Sequence, residues 1–473
     1  MTVKIDRRSL LQGTGAVAGS ALLPSFAMAA GNDGFITLAA APGEATLLGA
    51  GKPRTRIWCY NGAAPGPEIR VRQGDEVRVR LVNKLSQPTT IHWHGVRMIN
   101  AMDGVPGLTQ EAVPPGASFD YVFRAPDAGT FWYHPHSQTW EQVARGLYGV
   151  LIVEENRAPA FDRDITLVLD DWLLGKTGQI HESSLGEMRY WSHGGRLGNW
   201  PTVNGRYQPE YLVKSGERVR LRLVNTCNAR FLSVKLRNLD ATVIAIDGQP
   251  VAPYAAGDRS ILLSPAQRVD LAFNATLPAG SAAQIVETSQ DFPVTLASLK
   301  LTGTATVPGS SDRSFDPLPG NPLPEKLPLA DALKVELLME GGAMGGMRSA
   351  TYKGRVMNIN DLVDAGKVWA FNGVVGMTDK PLFDSRKGRT VTIEFVNRTA
   401  FTHPMHIHGH HFKVVSRNGE PVSGAPWRDT ELVQPDEKVS IAFVADNPGK
   451  WALHCHTLEH VAAGMITWFN VGA

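Results

Sequence analysis

Three things are scarce in this chain of 473 residues, and each scarcity excludes something. Net charge is nearly absent: 47 Lys and Arg against 45 Asp and Glu leave a formal +2, which argues against a nucleic-acid or strongly acidic partner. Beyond the N-terminus there is no long apolar run, so the mature chain has no segment able to cross a bilayer as a helix. Cysteine is limited to Cys59, Cys227 and Cys455, which leaves room for one disulfide at most. Glycine (47) and proline (31) are plentiful instead, which suits an all-β protein with many turns.

The N-terminus reads as an address rather than as structure. Asp6-Arg7-Arg8-Ser9-Leu10-Leu11-Gln12 precedes a Gly/Ala-rich apolar run to about Leu23, and Ala27-Met28-Ala29 offers a small-x-small cleavage site. Residues 1–29 resemble a bacterial twin-arginine signal, which implies twin-arginine export machinery as a partner and a periplasmic location.

One strand pattern occurs three times. Gly74–Asn83, Gly216–Asn225 and Gly388–Asn397 each start with a turn glycine, alternate apolar and polar residues, and end in asparagine nine residues on. This is a half-buried strand. An Asn-Gly pair precedes each copy: Asn61-Gly62, Asn204-Gly205 and Asn372-Gly373. The spacing predicts three all-β domains of about 150 residues, each a sandwich of antiparallel strands. The expected bounds are 30–157, 158–305 and 331–473, with a Pro/Gly-rich linker at 306–330.

Histidines fall at fixed offsets from these asparagines. His92 and His94 stand nine and eleven residues after Asn83, and His406 and His408 stand at the same offsets after Asn397. The middle copy has Val234 and Leu236 there, so its domain reads as plain core. A second correspondence matches Gly129–His136 with Gly449–His456: histidine follows glycine by five in both, and Pro135 stands where the other has Cys455. The first and third domains thus supply four imidazoles each. A cluster of three metal ions would have to lie between them, since neither domain alone has enough ligands.

The segment His454-Cys455-His456 with His460 and Met465 carries a thiolate, an imidazole and a weak thioether, three of the four ligands of a blue-copper site. In a strand, neighbouring side chains face opposite ways. Cys455 can therefore face one metal while His454 and His456 face others.

At these four groups of histidines the chain resembles the multicopper oxidases, the laccase and cuprous-oxidase family, over essentially the whole mature length. The resemblance implies three cupredoxin-like Greek-key domains and four copper ions: one type 1, one type 2 and two type 3. Type 1 copper would be held by His403, Cys455 and His460 with Met465 axial, and type 2 copper by His92 and His406. One type 3 copper would take His94, His134 and His456, the other His136, His408 and His454. Electrons would pass from a small reducing substrate through Cys455 to His454 and His456, and dioxygen would be reduced to water. The resemblance also implies that Asp103 donates protons near the cluster and that Cys59 and Cys227 form a bridge between the first two domains; two separately buried thiols are the alternative. Glu459 reads as a surface charge, His410 and His411 as structural residues, and the chain as a monomer.

The substrate reads two ways: phenols or aromatic amines, as in laccases, or cuprous ion, for copper tolerance. Met339, Met344 and Met347 lie in a Gly-rich stretch and resemble in miniature the Met-rich inserts of cuprous oxidases. Thr399 and Phe401, however, stand where efflux-type enzymes carry Asp and Met before the first type 1 histidine. A non-enzymatic exported cupredoxin-like scaffold is the alternative function; the full set of ten histidines, the cysteine and the methionine argues against it. A two-domain copper nitrite reductase is disfavoured by the three repeats and by His134-x-His136.

Overall fold

The computed structural model describes residues 31, 33–289, 292–303 and 314–473. The export signal lies outside the described residues, as do residues 306–313 of the expected linker.

Three β-sandwiches follow one another along the chain. The first packs a sheet ordered Thr55–Tyr60, Ile36–Ala45, Glu76–Asn83, Ser118–Arg124 against one ordered Ile69–Arg72, Gly149–Glu154, Gly129–His134, His92–His94. The second sandwich has sheets of six and five strands drawn from Arg163 to Thr302. The third has the same numbers, drawn from Leu333 to Gly472, with an added hairpin, Ser349–Tyr352 and Arg355–Asn358.

Each repeat strand sits inside a sheet, with an antiparallel neighbour on one side and a parallel neighbour on the other. Glu76–Asn83 runs parallel to Ile36–Ala45, Arg218–Asn225 to Arg163–Trp172, and Arg389–Asn397 to Leu333–Gly341. The sheets are therefore mixed, not purely antiparallel as the sequence suggested. In the first domain the reason is connectivity: the chain crosses to the opposite sheet at Ile69–Arg72 and returns in the direction it started.

The repeated asparagines are corner clamps. The Asn83 amide donates to the carbonyls of Gln87 and Val113 while its oxygen accepts from Leu85 N. Asn225 binds Arg230 O, Leu263 O and Cys227 N, and Asn397 binds Phe401 O, Val433 O and Thr399 N, in the same arrangement. All three are fully buried, where an unpaired backbone group is costly. The Asn-Gly residues Asn61, Asn204 and Asn372 share left-handed φ angles of 53°, 50° and 50° and tie the turn to the neighbouring strand.

Each sandwich has its own apolar core, and a fourth apolar layer around Trp132, Tyr148 and Trp172 joins the first two domains. Two expectations are corrected here. Cys59 and Cys227 are both free buried thiols rather than a bridge. Cys59 sits in the layer between domains and points to Ala41 O, whereas Cys227 sits in the second domain's core and points to Leu169 O, so they face different cores. Met339 is a fully buried core residue on the strand Leu333–Gly341, not part of an open loop; Met344 is 82% exposed and Met347 packs against a separate small cluster. The three sulfurs do not share one exposed segment.

Candidate metal centre

Strand pairing assembles the histidines. His92 faces His134 across the ladder between His92–His94 and Gly129–His134. His406 faces His454 across the equivalent ladder of the third domain, with Met405 opposite Cys455. The two ladders meet edge to edge between the first and third domains, where the His92 ring stacks on His408 at 3.9 Å and the His94 ring on His406 at 3.8 Å.

Six of the eight histidines in this cluster have an outer nitrogen tied down. His92 Nδ1 donates to Asp103 O (2.9 Å), His134 Nδ1 to Pro135 O (2.9 Å), His406 Nδ1 to Asp429 O (2.8 Å) and His454 Nδ1 to Cys455 O (2.8 Å). His408 Nδ1 donates to Asp103 Oδ2 (2.8 Å), and His94 turns the other way, donating Nε2 to Asp429 Oδ1 (3.1 Å). A hydrogen bond at one imidazole nitrogen fixes the tautomer and leaves a lone pair on the other.

Those lone pairs converge. His408 Nε2 and His136 Nε2 lie 3.0 and 3.3 Å from His454 Nε2. His92 Nε2, His94 Nδ1, His134 Nε2, His406 Nε2 and both nitrogens of His456 are buried without a hydrogen-bond partner among the described residues. Each unpaired buried acceptor costs ~1–3 kcal/mol, and acceptors facing one another cannot relieve it. Metal ions would. Burial lowers the pKa of His94, His134, His136, His408, His454 and His456 well below 6.5, and that of His406 below it, which favours the neutral form of these seven imidazoles.

A second site lies in the third domain. Cys455 Sγ is 3.5 Å from His403 Nδ1 and 3.6 Å from His460 Nδ1, and the two nitrogens are 3.1 Å apart. A triangle of that size holds an ion at about 2 Å from its corners, the usual metal–imidazole length. The outer nitrogens are again fixed, His403 Nε2 by Thr399 Oγ1 (2.7 Å) and His460 Nε2 by His193 O (2.6 Å). Thr399, which differs from the efflux-type residue, thus orients the His403 ring. Met465 is fully buried beside the site, and its amide donates to His460 O. Burial pushes the Cys455 thiol up to about 12, so a bound ion must displace its proton.

Sequence reasoning missed Asp429. Fully buried, it serves His94 and His406 and forms a two-point ion pair with Arg268 of the second domain (3.0 and 2.6 Å). Its one local trace is that it directly precedes the strand Thr430–Val433, which pairs with His403–Ile407. Asp103 is equally buried, held by a turn in which Gly104 has φ +81° and any Cβ would collide with Ile91 O. Glu459 is corrected: it is buried, not a surface charge, with Asn228 donating to Oε1 at 2.9 Å. His410 packs among Phe443, Trp451 and Phe469, and His411 lies 3.3 Å from Gln249 and 3.7 Å from Asp429.

Three successive sandwiches, two of which pool eight imidazoles while one adds a cysteine–histidine triangle, define a metal-dependent oxidoreductase of cupredoxin-like architecture. The family model described as Multicopper oxidase matches residues 43–158, 163–283 and 351–473. Multicopper oxidase MmcO of Mycobacterium tuberculosis is 30% identical over 96% of this chain and 91% of its own. Laccase-1 of Botryotinia fuckeliana is 29% identical over 87% of this chain and 77% of its own. The crystal structure of a multi-copper oxidase from Pseudomonas thermotolerans superposes with a TM-score of 0.80 at 34% identity, covering 92% of this chain and 98% of that one. The chain belongs to the multicopper oxidase family and is a copper-dependent oxidoreductase that uses dioxygen and a reducing substrate.

Proposed function

We propose that four coppers are held as one type 1, one type 2 and two type 3 ions. His403, Cys455, His460 and Met465 hold the first; His92 and His406 the second; His94, His134 and His456, with His136, His408 and His454, the pair. The observation that supports this reading is the set of converging imidazole nitrogens in the eight-histidine cluster, six of them fixed by an outer hydrogen bond. When bound, the coppers supply one-electron oxidation of a phenol, aromatic amine or cuprous ion at the first site and four-electron reduction of dioxygen to water at the cluster. Function as a non-enzymatic scaffold is not favoured.

The chain supplies the rest. Cys455 links the sites through its peptide neighbours His454 and His456, and more directly through its carbonyl, which accepts from His454 Nδ1 at 2.8 Å. The cluster histidines are buried, with only His136 partly open, which excludes bulk water from the oxygen-reducing site. Asp103 holds His408 through Oδ2, while its buried Oδ1, 3.2 Å from His92 Nδ1, has no hydrogen bond among the described residues, and we assign Asp103 the role of proton donor beside the cluster. In the described residues no helix is long and apolar enough to cross a membrane; we place the mature chain in the periplasm on the strength of the N-terminal pattern.

The test is Cys455→Ser in copper-loaded protein. Loss of the blue colour and of substrate oxidation, with the far-ultraviolet dichroism of the sheets kept, is expected. A serine variant turning over at the normal rate would refute the type 1 assignment.

A further inference from the structure

The His460 edge of the type 1 triangle does not face solvent. A segment of the second domain, the short helix Met188–Ser192 and the residues after it, lies across it. Three successive carbonyls at its end, which a helix leaves without internal partners, are each bonded to the third domain. Trp191 O accepts from Trp369 Nε1 (2.6 Å), Ser192 O from Ala343 N (2.6 Å) and His193 O from His460 Nε2 (2.6 Å). The Trp191 ring stands edge-on to Trp140, and Gly366 is so close that an added Cβ would lie 3.0 Å from it. Beyond His193 the segment is pinned again: Gly195, at φ +82°, has no room for a Cβ, which would collide with Ala229 and Thr457. Buried Arg196 then donates to Ser184 Oγ at 2.8 Å. The cover is pinned on both sides of His193, which is itself exposed, with its ring 6.0 Å from that of Phe401.

We propose that Trp191–His193 sets reductant selectivity by closing the His460 edge: reductants that give up an electron at the protein surface are oxidised in preference to bulky phenols that need ring contact with a ligand imidazole. This deepens, and rests on, the assignment of His403, Cys455 and His460 as type 1 ligands. In each event the reductant loses one electron, which the type 1 copper accepts, and a phenol also sheds its hydroxyl proton to water. The electron from a surface reductant crosses the His193 peptide and one hydrogen bond. The same bond has an electronic effect. An imidazole N–H donating to a carbonyl gains electron density, which favours the oxidised metal, so the cover also holds the type 1 potential down.

The experiment compares the full-length copper-loaded chain with a triple variant, Trp191→Gly with Ser192→Gly and His193→Gly, and with Trp191→Ala in case the triple change does not fold. Reductants are ferrocyanide, which transfers electrons without contact, and a dimethoxyphenol. Opening the cover is expected to raise kcat/KM for the phenol at least about tenfold while ferrocyanide changes less than about threefold, and to shift the type 1 potential upward in the triple variant. In the copper-free chain, the His460 Nε2 proton should exchange slowly in wild type and fast in the triple variant. A phenol kcat/KM that is unchanged or lower in a folded variant with its blue colour intact would overturn the proposal. A wild-type chain that takes up copper without turning blue would instead overturn the type 1 assignment, and the proposal with it.

Discussion

Asp103 and Asp429 make matching contacts from opposite sides of the histidine cluster. Each accepts, on its backbone carbonyl, the Nδ1 proton of a histidine from its own domain, His92 for Asp103 and His406 for Asp429. Each then reaches across the domain boundary with its carboxylate, Asp103 to His408 and Asp429 to His94. The match breaks at Arg268. That arginine clasps both oxygens of Asp429 and, together with His94, holds its carboxyl well below the ordinary carboxylate range against the opposing effect of burial. Asp103 has no arginine in hydrogen-bond contact among the described residues. One aspartate is clasped by an arginine, and the other keeps one carboxylate oxygen without a hydrogen bond among the described residues.

Asp103→Asn and Asp429→Asn should therefore fail differently. In the first variant the new amide can still accept from His408 but cannot deliver a proton, so turnover under dioxygen should fall by about a hundredfold or more while anaerobic reduction of the blue colour stays fast. In the second, the amide weakens the grip on His94 and leaves Arg268 without its counter-charge, so loss of cluster copper should dominate. Stopped-flow reduction and copper analysis of the two variants separate these outcomes; equal copper loss in both would remove the distinction.

Arg268→Gln tests the same link from the second domain, which contributes no histidine to the cluster. Arg268 is fully buried and also donates to Thr130 O at 3.1 Å. Removing one partner of a buried ion pair costs about 3–5 kcal/mol. Denaturant unfolding should show a loss of that order, and cluster copper should be retained less well, with the blue colour kept. A stability change under about 1 kcal/mol would mean that Asp429 finds another partner.

What can be read from the sequence, and what cannot, follows from the range of the contacts. The repeat strands and their asparagines are local patterns, and the histidine offsets follow because the metal ligands sit at fixed places on equivalent ladders. Arg268 meets Asp429 across 161 residues, with no periodicity to announce it. Glu459 reads as a surface charge because its helix, Leu458–Ala462, is short; the second domain covers it through Asn228. Met339 is legible, but by a different pattern from the one that singles it out. Leu337, Met339 and Gly341 alternate as the buried face of a strand, whereas Gly342, Gly345 and Gly346 belong to a loop that starts after Gly341.

Thiol counting addresses Cys59 and Cys227. Both are buried, in different apolar layers, and burial raises both thiol pKa values, which disfavours the thiolate that exchange requires. Copper-free protein denatured without reductant should titrate three thiols. One thiol would restore the bridge between the first two domains.

Acid should destabilise the copper-free chain well before carboxylates in general are protonated. Burial lowers His410 to about 3 and His411 and His460 to about 4, and the seven cluster imidazoles named above shift the same way. An unfolded histidine takes its proton near pH 6.5, whereas folded His410 does not until about 3, folded His411 and His460 not until about 4, and the cluster imidazoles only below the unfolded value. Between those limits the unfolded state binds more protons, so stability falls as pH falls, by about 1.4 kcal/mol per unit for each group. Four carboxylates oppose this. Burial pushes Asp170 and Asp247 up to about 7 and raises Glu459 and Asp446 as well, so the folded state binds their protons first, and stability from them rises as pH falls. Four groups against His410, His411, His460 and the seven cluster imidazoles leave the histidines in control. The Tm of copper-free protein should therefore drop steeply from about pH 7 to about pH 5, and a Tm that is flat or rises over that range would show that the imidazoles are hydrated rather than sealed.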